Sequence, residues 1–185
     1  PAMADLIRHA DIVVILLDLS ADLLGQYEET LAALEDFRIF PEGTPPPDEM
    51  KKTLFFKKIF IVANKMDTEK EKEDFDAFLD LTGLTMPALG ISVHNGRNLD
   101  RFLGILYELA GVIRVYSKNP GKEPDLEEPF VAPKDTTLEE LAAKIHKDIA
   151  KKMKYARIWG TSVHDGQMVQ REYVLHDGDI VEIHI

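Results

Sequence analysis

Ile59-Phe60-Ile61-Val62-Ala63-Asn64-Lys65-Met66-Asp67 is the stretch whose reading decides the fold. Its apolar run is rich in β-branched residues, as expected of a strand buried on both faces of a parallel sheet. The run breaks sharply into the polar tetrapeptide Asn64-Lys65-Met66-Asp67, which places N-K-x-D in the loop at the strand's carboxyl end, where open α/β sheets bind ligands. A carboxylate at Asp67 can accept two parallel hydrogen bonds, from N1–H and the exocyclic N2 amine, a pair that guanine presents and adenine does not. Adenine would leave the charged acceptor unpaired, at a cost of several kcal/mol. Lys65 can lay its methylene stem over the base plane, and Asn64 can tie the loop to backbone and base edge. A plainer reading makes the tetrapeptide a polar turn, with Asp67 capping a helix that starts at Thr68.

Working outward, residues 70–81 form an amphipathic helix, Met86–Ser92 a strand, and Asn98 to about Ala110 a second helix, the order of a βαβ unit. Upstream lie a helical stretch from Ala2 to Ala10, the apolar strand Ile12–Leu17 and a helix over Ala21–Asp36 with apolar residues Leu23, Leu24, Tyr27, Leu31 and Leu34. Pro41-Glu42-Gly43-Thr44-Pro45-Pro46-Pro47 must be an exposed loop. Both strands are expected to be covered on both faces. No G-x-x-x-x-G-K-[ST] occurs: the only Gly-Lys pair, Gly121-Lys122, is followed by Glu123. The phosphate-cradling loop, its lysine and its Mg²⁺-holding hydroxyl are therefore not in these residues.

The chain has 185 residues, enough for one large or two small domains, and 45% hydrophobic content excludes a disordered class. No apolar run approaches the roughly 18 residues that span a bilayer, so no membrane association is expected. With no cysteine, disulfides, thiolate metal sites and cysteine nucleophiles are excluded, which fits a cytoplasmic protein. The net charge of −11 is uneven: residues 1–112 carry 11 basic and 20 acidic side chains, residues 113–185 carry 11 and 13. The first part is thus a poor nucleic-acid binder.

From Ile113 the pattern changes. Ile113–Tyr116 and Phe130–Ala132 read as short strands around the loop Ser117–Pro129. A helix follows, capped by Thr136 with Glu139 or Thr137 with Glu140, its apolar face Leu138, Leu141, Ala142, Ile145, Ile149 and Met153. Strands over Ala156–Trp159, Val169–Val174 and Ile180–Ile185 are separated by Asp165-Gly166 and Asp177-Gly178 turns, giving an α+β sheet with one helix across it and Trp159 in its core. Lys144, Lys147, Lys151 and Lys154 recur at steps of three and four. They read either as a stripe contacting RNA phosphates or as a solvated face laced with Glu140–Lys144 and Asp148–Lys152 pairs. The histidines show no metal-ligand spacing, and no metal site is expected.

Arg114-Val115-Tyr116-Ser117-Lys118, Ile145-His146-Lys147-Asp148, Tyr155–Val163 and Leu175–Ile183 resemble the TGS domain, as found in Obg-related, developmentally regulated GTP-binding (DRG) proteins. Ser92-Val93 resembles the second guanine loop of such GTPases, usually Ser-Ala, where a backbone N–H meets the base oxygen O6. The resemblance implies two domains: residues 1–112, part of a P-loop GTPase parallel sheet (Rossmann-like) lacking its N-terminal half, and residues 113–185, a β-grasp TGS domain. It implies guanine contacts by Asn64, Lys65, Asp67, Ser92 and Val93, and GTP or GDP with Mg²⁺ in an intact, GTP-hydrolysing parent. It also implies a TGS domain that engages the ribosome, rRNA, tRNA or a protein. This chain, which opens on Pro1, is expected to be truncated, to bind nucleotide weakly and to contribute no catalytic residue. The alternative is a non-catalytic RNA- or protein-binding adaptor built on a degenerate G domain.

Overall fold

In a computed structural model, residues 2–45 and 53–185 are described; Pro1, Pro46 and Pro47 of the expected elements lie outside them. The chain divides into two compact units, one ending at Ala110 and one spanning Gly111–Ile185.

The first unit runs α1 (Ala2–His9), β1 (Ile12–Asp18), α2 (Leu23–Asp36), β2 (Ile39–Pro41), β3 (Phe55–Asn64), α3 (Glu69–Thr82), β4 (Ala88–Gly90) and α4 (Leu99–Ala110). All its strand pairs are parallel, with β3 central: β1 lies on one side, from Ile12↔Lys58 to Asp18↔Asn64, and β4 and β2 also pair with β3. The alternation of β3 feeds two cores. Ile59, Ile61 and Ala63 pack with Ile15, Leu17, Leu34, Phe75 and Phe78, while Phe60 and Val62 join Leu89 and Ile91 beneath α4. Phe60 is fully buried, its ring stacked on Phe102 at 5.8 Å.

Two expectations are corrected here. The run Ile12–Leu17 is not covered on both faces: Ile15 and Leu17 are buried, but Val14 is 39% and Leu16 64% exposed, because α4 covers β3 and β4 rather than β1. The strand over Met86–Ser92 is shorter, and Ser92 lies in the loop beyond it. The three-residue strand β2 carries no periodicity of its own; its pairing with the start of β3 creates it.

The second unit runs β5 (Val112–Ser117), β6 (Asp125–Pro133), α5 (Leu138–Ile145), α6 (Lys147–Lys152), β7 (Tyr155–Trp159), β8 (Gln167–Val169) and β9 (Asp179–His184). The sheet order is β6-β5-β9-β7-β8, with β5 and β9 parallel and the other pairs antiparallel. The two helices cover one face, over a core that includes Val115, Leu138, Leu141, Ala142, Met153, Ala156 and Ile158. Of the two possible capping boxes the structure uses Thr137 with Glu140: the Thr137 hydroxyl accepts from the Glu140 N–H, and the Glu140 carboxylate accepts from the Thr137 N–H at 2.8 Å. The bond from the Thr137 N–H, and after it one from the Thr137 hydroxyl to the same carboxylate, holds the Glu140 carboxyl below its usual pKa.

Four further differences follow from packing. The expected single helix breaks at His146, whose extended backbone (φ −163°, ψ 130°) ends α5 and caps α6. The expected strand Val169–Val174 shrinks to β8 and one bridge, Thr137↔Val174. Much of the expected loop Ser117–Pro129 is instead the start of β6, entered through a register shift between Val115 and Ser117. Trp159 is outside the core; it alternates away from Ile158 and lies under the Lys118 ammonium, 4.8 Å from the ring centroid. Lys118 in turn pairs with the buried Glu182, and this pairing, more than the neighbouring His184, holds the Glu182 carboxyl low.

Candidate functional site

The carboxyl ends of β1, β3 and β4 bring three loops together. Ile91 donates its N–H to the Ala63 carbonyl (2.8 Å), and Met66 donates to the Ile91 carbonyl (2.9 Å), so the segments after β3 and β4 are braced against each other. Met66, the wildcard of the tetrapeptide, is the anchor: it is 3% exposed and packs so closely on Gly90 that a Cβ there would lie 1.7 Å from its methyl carbon. Gly90 is therefore required by close approach, and Met66 turns the polar side chains on either side of it outward.

Asp67 stands exposed at the end of this brace. It does not cap α3. Thr68 does, in a capping box with Glu71 that depresses the Glu71 carboxyl. The Asp67 carboxylate instead accepts a 2.5 Å hydrogen bond on Oδ1 from the hydroxyl of Ser92, which is itself fully buried. Among the described residues Oδ2 has no protein partner. Ser92 is placed by its own N–H, which donates to the Arg97 carbonyl (3.1 Å), and its Oγ accepts from the Asn95 N–H (3.1 Å). Asn64 spans the same gap from the other side, its Oδ1 accepting from the Val93 N–H at 3.2 Å. The sequence-predicted residues Asn64, Asp67, Ser92 and Val93 are thus one hydrogen-bonded constellation, although β3 and the Ser92 loop are separated by all of α3.

Lys65 takes a positive φ of 73° at the turn. Its ammonium reaches across to β1, 2.6 Å from an Asp18 carboxylate oxygen and 3.1 Å from the Ser20 hydroxyl. The Lys65 bond, reinforced by the Ser20 hydroxyl and N–H, lowers the Asp18 pKa to about 2. No sequence motif marks Asp18 or Ser20 as a partner of Lys65. Asp18 does end the apolar run of β1, but only the register Asp18↔Asn64 shows that it lies beside Lys65.

The lysine series is not brought together. Lys144 ends α5 with its ammonium on the Val131 carbonyl (2.7 Å), Lys147 and Lys151 sit on α6, and Lys154 lies beyond α6, before β7. The break at His146 puts these lysines on separate elements, and the pairs Glu140–Lys144 and Asp148–Lys152 do not form among the described residues. Among those residues no group of three or more His, Asp or Glu could hold a metal ion, and no helix is long and apolar enough to cross a membrane.

With this geometry in place, comparison with known proteins is decisive for the second unit: residues 113–185 match the family described as TGS domain. This unit is a TGS domain. Over 66% of its length the chain is similar to DRG proteins. It is 35% identical over 124 residues to an uncharacterized GTP-binding protein of Methanocaldococcus jannaschii and 36% identical over 124 residues to developmentally-regulated GTP-binding protein 1 of Xenopus laevis. Each alignment covers 66% of this chain and 32% of the relative, so the chain spans about a third of these relatives' length. The fold matches a crystal structure of a GTP-binding protein from Pyrococcus horikoshii (TM-score 0.61, 17% identity, 97% of this chain and 80% of that one). It also matches the Schizosaccharomyces pombe YchF GTPase (TM-score 0.66, 11% identity, 100% and 75%). The first unit ahead of the TGS domain accordingly shares the parallel-sheet fold of these structures.

Proposed function

We propose that this chain carries the base-reading part of a guanine-nucleotide site of a DRG-like GTPase, and that its TGS domain docks RNA or protein on the ribosome or elsewhere in translation, in the cytoplasm. The observation that carries the nucleotide reading is the state of Asp67. Its carboxylate is not consumed in capping α3; Ser92 steadies one oxygen, and the other stands open in an exposed loop. A guanine edge would place N1–H and the N2 amine on this carboxylate, with charge-assisted bonds worth about 1.5–3 kcal/mol each. Asn64 and Val93 would meet the O6 side of the base, and the Lys65 stem, tethered by Asp18, would lie along its face. An adenine edge has no N2 donor, and its N1 would face the carboxylate as a second acceptor.

The same reading assigns Mg²⁺ and hydrolysis to the intact parent. The 185 residues contain no glycine-rich phosphate loop with its hydroxyl ligand, and the described residues offer no cluster of carboxylates in its place. The donor set for Mg²⁺ does not fit this chain, and no step is derived through the metal. Since phosphate contacts supply much of the affinity in such sites, the chain is expected to bind GDP more weakly than micromolar. Saturation-transfer NMR with GDP and ADP tests the reading: GDP gives signal on its base proton and ADP does not. Equal signal from both would refute the guanine assignment, and submicromolar GTP affinity by calorimetry would refute the expected weakness.

A further inference from the structure

On the first unit a groove of about 330 Å³ opens between the loop after β1 and helix α3, floored by Leu19, Leu23, Leu24, Ala77 and Phe78 and edged by Leu81. Phe78 is 5% exposed and lies edge-on against Tyr27, with centroids 5.5 Å apart. Leu81, by contrast, is 72% exposed at the rim. Asp74, Ala77, Phe78 and Leu81 follow the i, i+3, i+4, i+7 spacing, a track about 10 Å long on one face of α3 whose last three members are apolar. Phe78 belongs to the core beneath the groove, as does Leu19, but Ala77 and Leu81 stand outside both the core and the nucleotide constellation.

The surroundings are acidic. Asp22 and Asp74 line the groove. Helix α3 carries Glu69, Glu71, Glu73, Asp74, Asp76 and Asp80 against two lysines, and Lys72 is already held by Asp76 at 3.1 Å. Nucleic acid and anionic membrane are repelled by such a field. An apolar track of helical spacing with acidic margins is complementary to a helix with leucines on one face and lysines or arginines beside them.

We propose that this groove is the docking site for a basic amphipathic helix of a protein partner. The partner's apolar residues would cover Leu81 and fill the space over Phe78, and its cations would face Asp22 and Asp74. Leu19 links the groove to the nucleotide loop, because its N–H donates to the Asn64 carbonyl at 3.0 Å.

The test uses a synthetic helical peptide of about 18 residues, five turns, with leucine on one face and lysine elsewhere, and a scrambled peptide of the same composition. Fluorescence anisotropy with the 185-residue chain at physiological salt should show the patterned peptide binding at least about tenfold more tightly than the scrambled one. Leu81→Lys and Asp74→Lys should each weaken it about tenfold, the loss expected for an anchor at the centre of an interface. Both positions are exposed, and unchanged circular dichroism would show that the variants fold. Equal binding of the two peptides, or of the parent and both variants, would mean that net charge alone attracts cations and would overturn the proposal. So would concentration-dependent dimerisation in sedimentation velocity that Leu81→Lys abolishes, because the occupant would then be a second copy. Displacement of the peptide by single-stranded RNA would overturn it as well.

Discussion

Replacing Asp67 by Asn probes the base-reading site with the least disturbance to the fold. The variant is isosteric, and the structure dictates how its amide must sit. Ser92 donates to Oδ1 at 2.5 Å, so the amide oxygen stays on the Ser92 side and the NH₂ group takes the place of the unpartnered Oδ2. The loop itself should not move, because Thr68 and not Asp67 caps α3. Guanine's N2 amine would then meet a donor instead of an acceptor. The loss is one hydrogen bond to a charged group, about 1.5–3 kcal/mol, or roughly 13- to 150-fold in affinity. Xanthine carries a carbonyl at that ring position and would gain the partner that guanine loses. In competition saturation-transfer NMR, which reads weak binders, the parent chain should prefer GDP over XDP and the variant XDP over GDP. A variant that keeps the parent's preference would show that Asp67 does not read the N2 edge. A variant that loses both ligands while its amide spectrum around Ser92 shifts widely would show that the carboxylate holds the loop instead.

Three other outcomes are expected. Phe60→Ala empties the fully buried space under α4 and its stacked partner Phe102, and should cost about 3–5 kcal/mol in urea unfolding of the first unit; a loss below about 1 kcal/mol would contradict the packing described. Asp179 is fully buried with one carboxylate oxygen unpartnered, and burial pushes its pKa up. Its folded value exceeds the unfolded one, so its contribution to stability is complete below about pH 4 and is lost as pH rises through the folded value; Asp179→Asn should therefore matter little near pH 3.5 and stabilise the TGS domain at pH 7, and identical pH dependence of the two melts would refute this. For RNA, Lys147→Glu with Lys151→Glu on α6 should weaken binding of single-stranded RNA and flatten its salt dependence, whereas no change in either quantity would leave those lysines as solvated surface.

Much of the fold could be read before the structure. β3 was legible because the stretch of it that is covered on both faces, Ile59–Ala63, is apolar at every position. The same logic misjudged β1, because an apolar run records that a strand is suited to cover on both faces, not that both covers are present; Val14 and Leu16 stand exposed. The helix break at His146 was illegible for a related reason. Apolar residues at Ile145 and Ile149 keep helical spacing across the break, and only the extended backbone of His146 shows that the chain restarts.

The candidate site divides in the same way. The sequence by itself determined which side chains could read a guanine edge, since Asn64, Lys65 and Asp67 are adjacent and their chemistry follows from residue type. It also determined that a TGS domain follows, through the extended match over residues 113–185. Only tertiary structure decided that Asp67 is steadied by Ser92 and not spent on α3, that Val93 meets Asn64, and that Asp18 holds Lys65. Those contacts join residues far apart in the chain, set by strand register and by the close approach of Met66 to Gly90. Local sequence carries propensity and chemistry; which distant groups become neighbours is settled by the packing of the sheet.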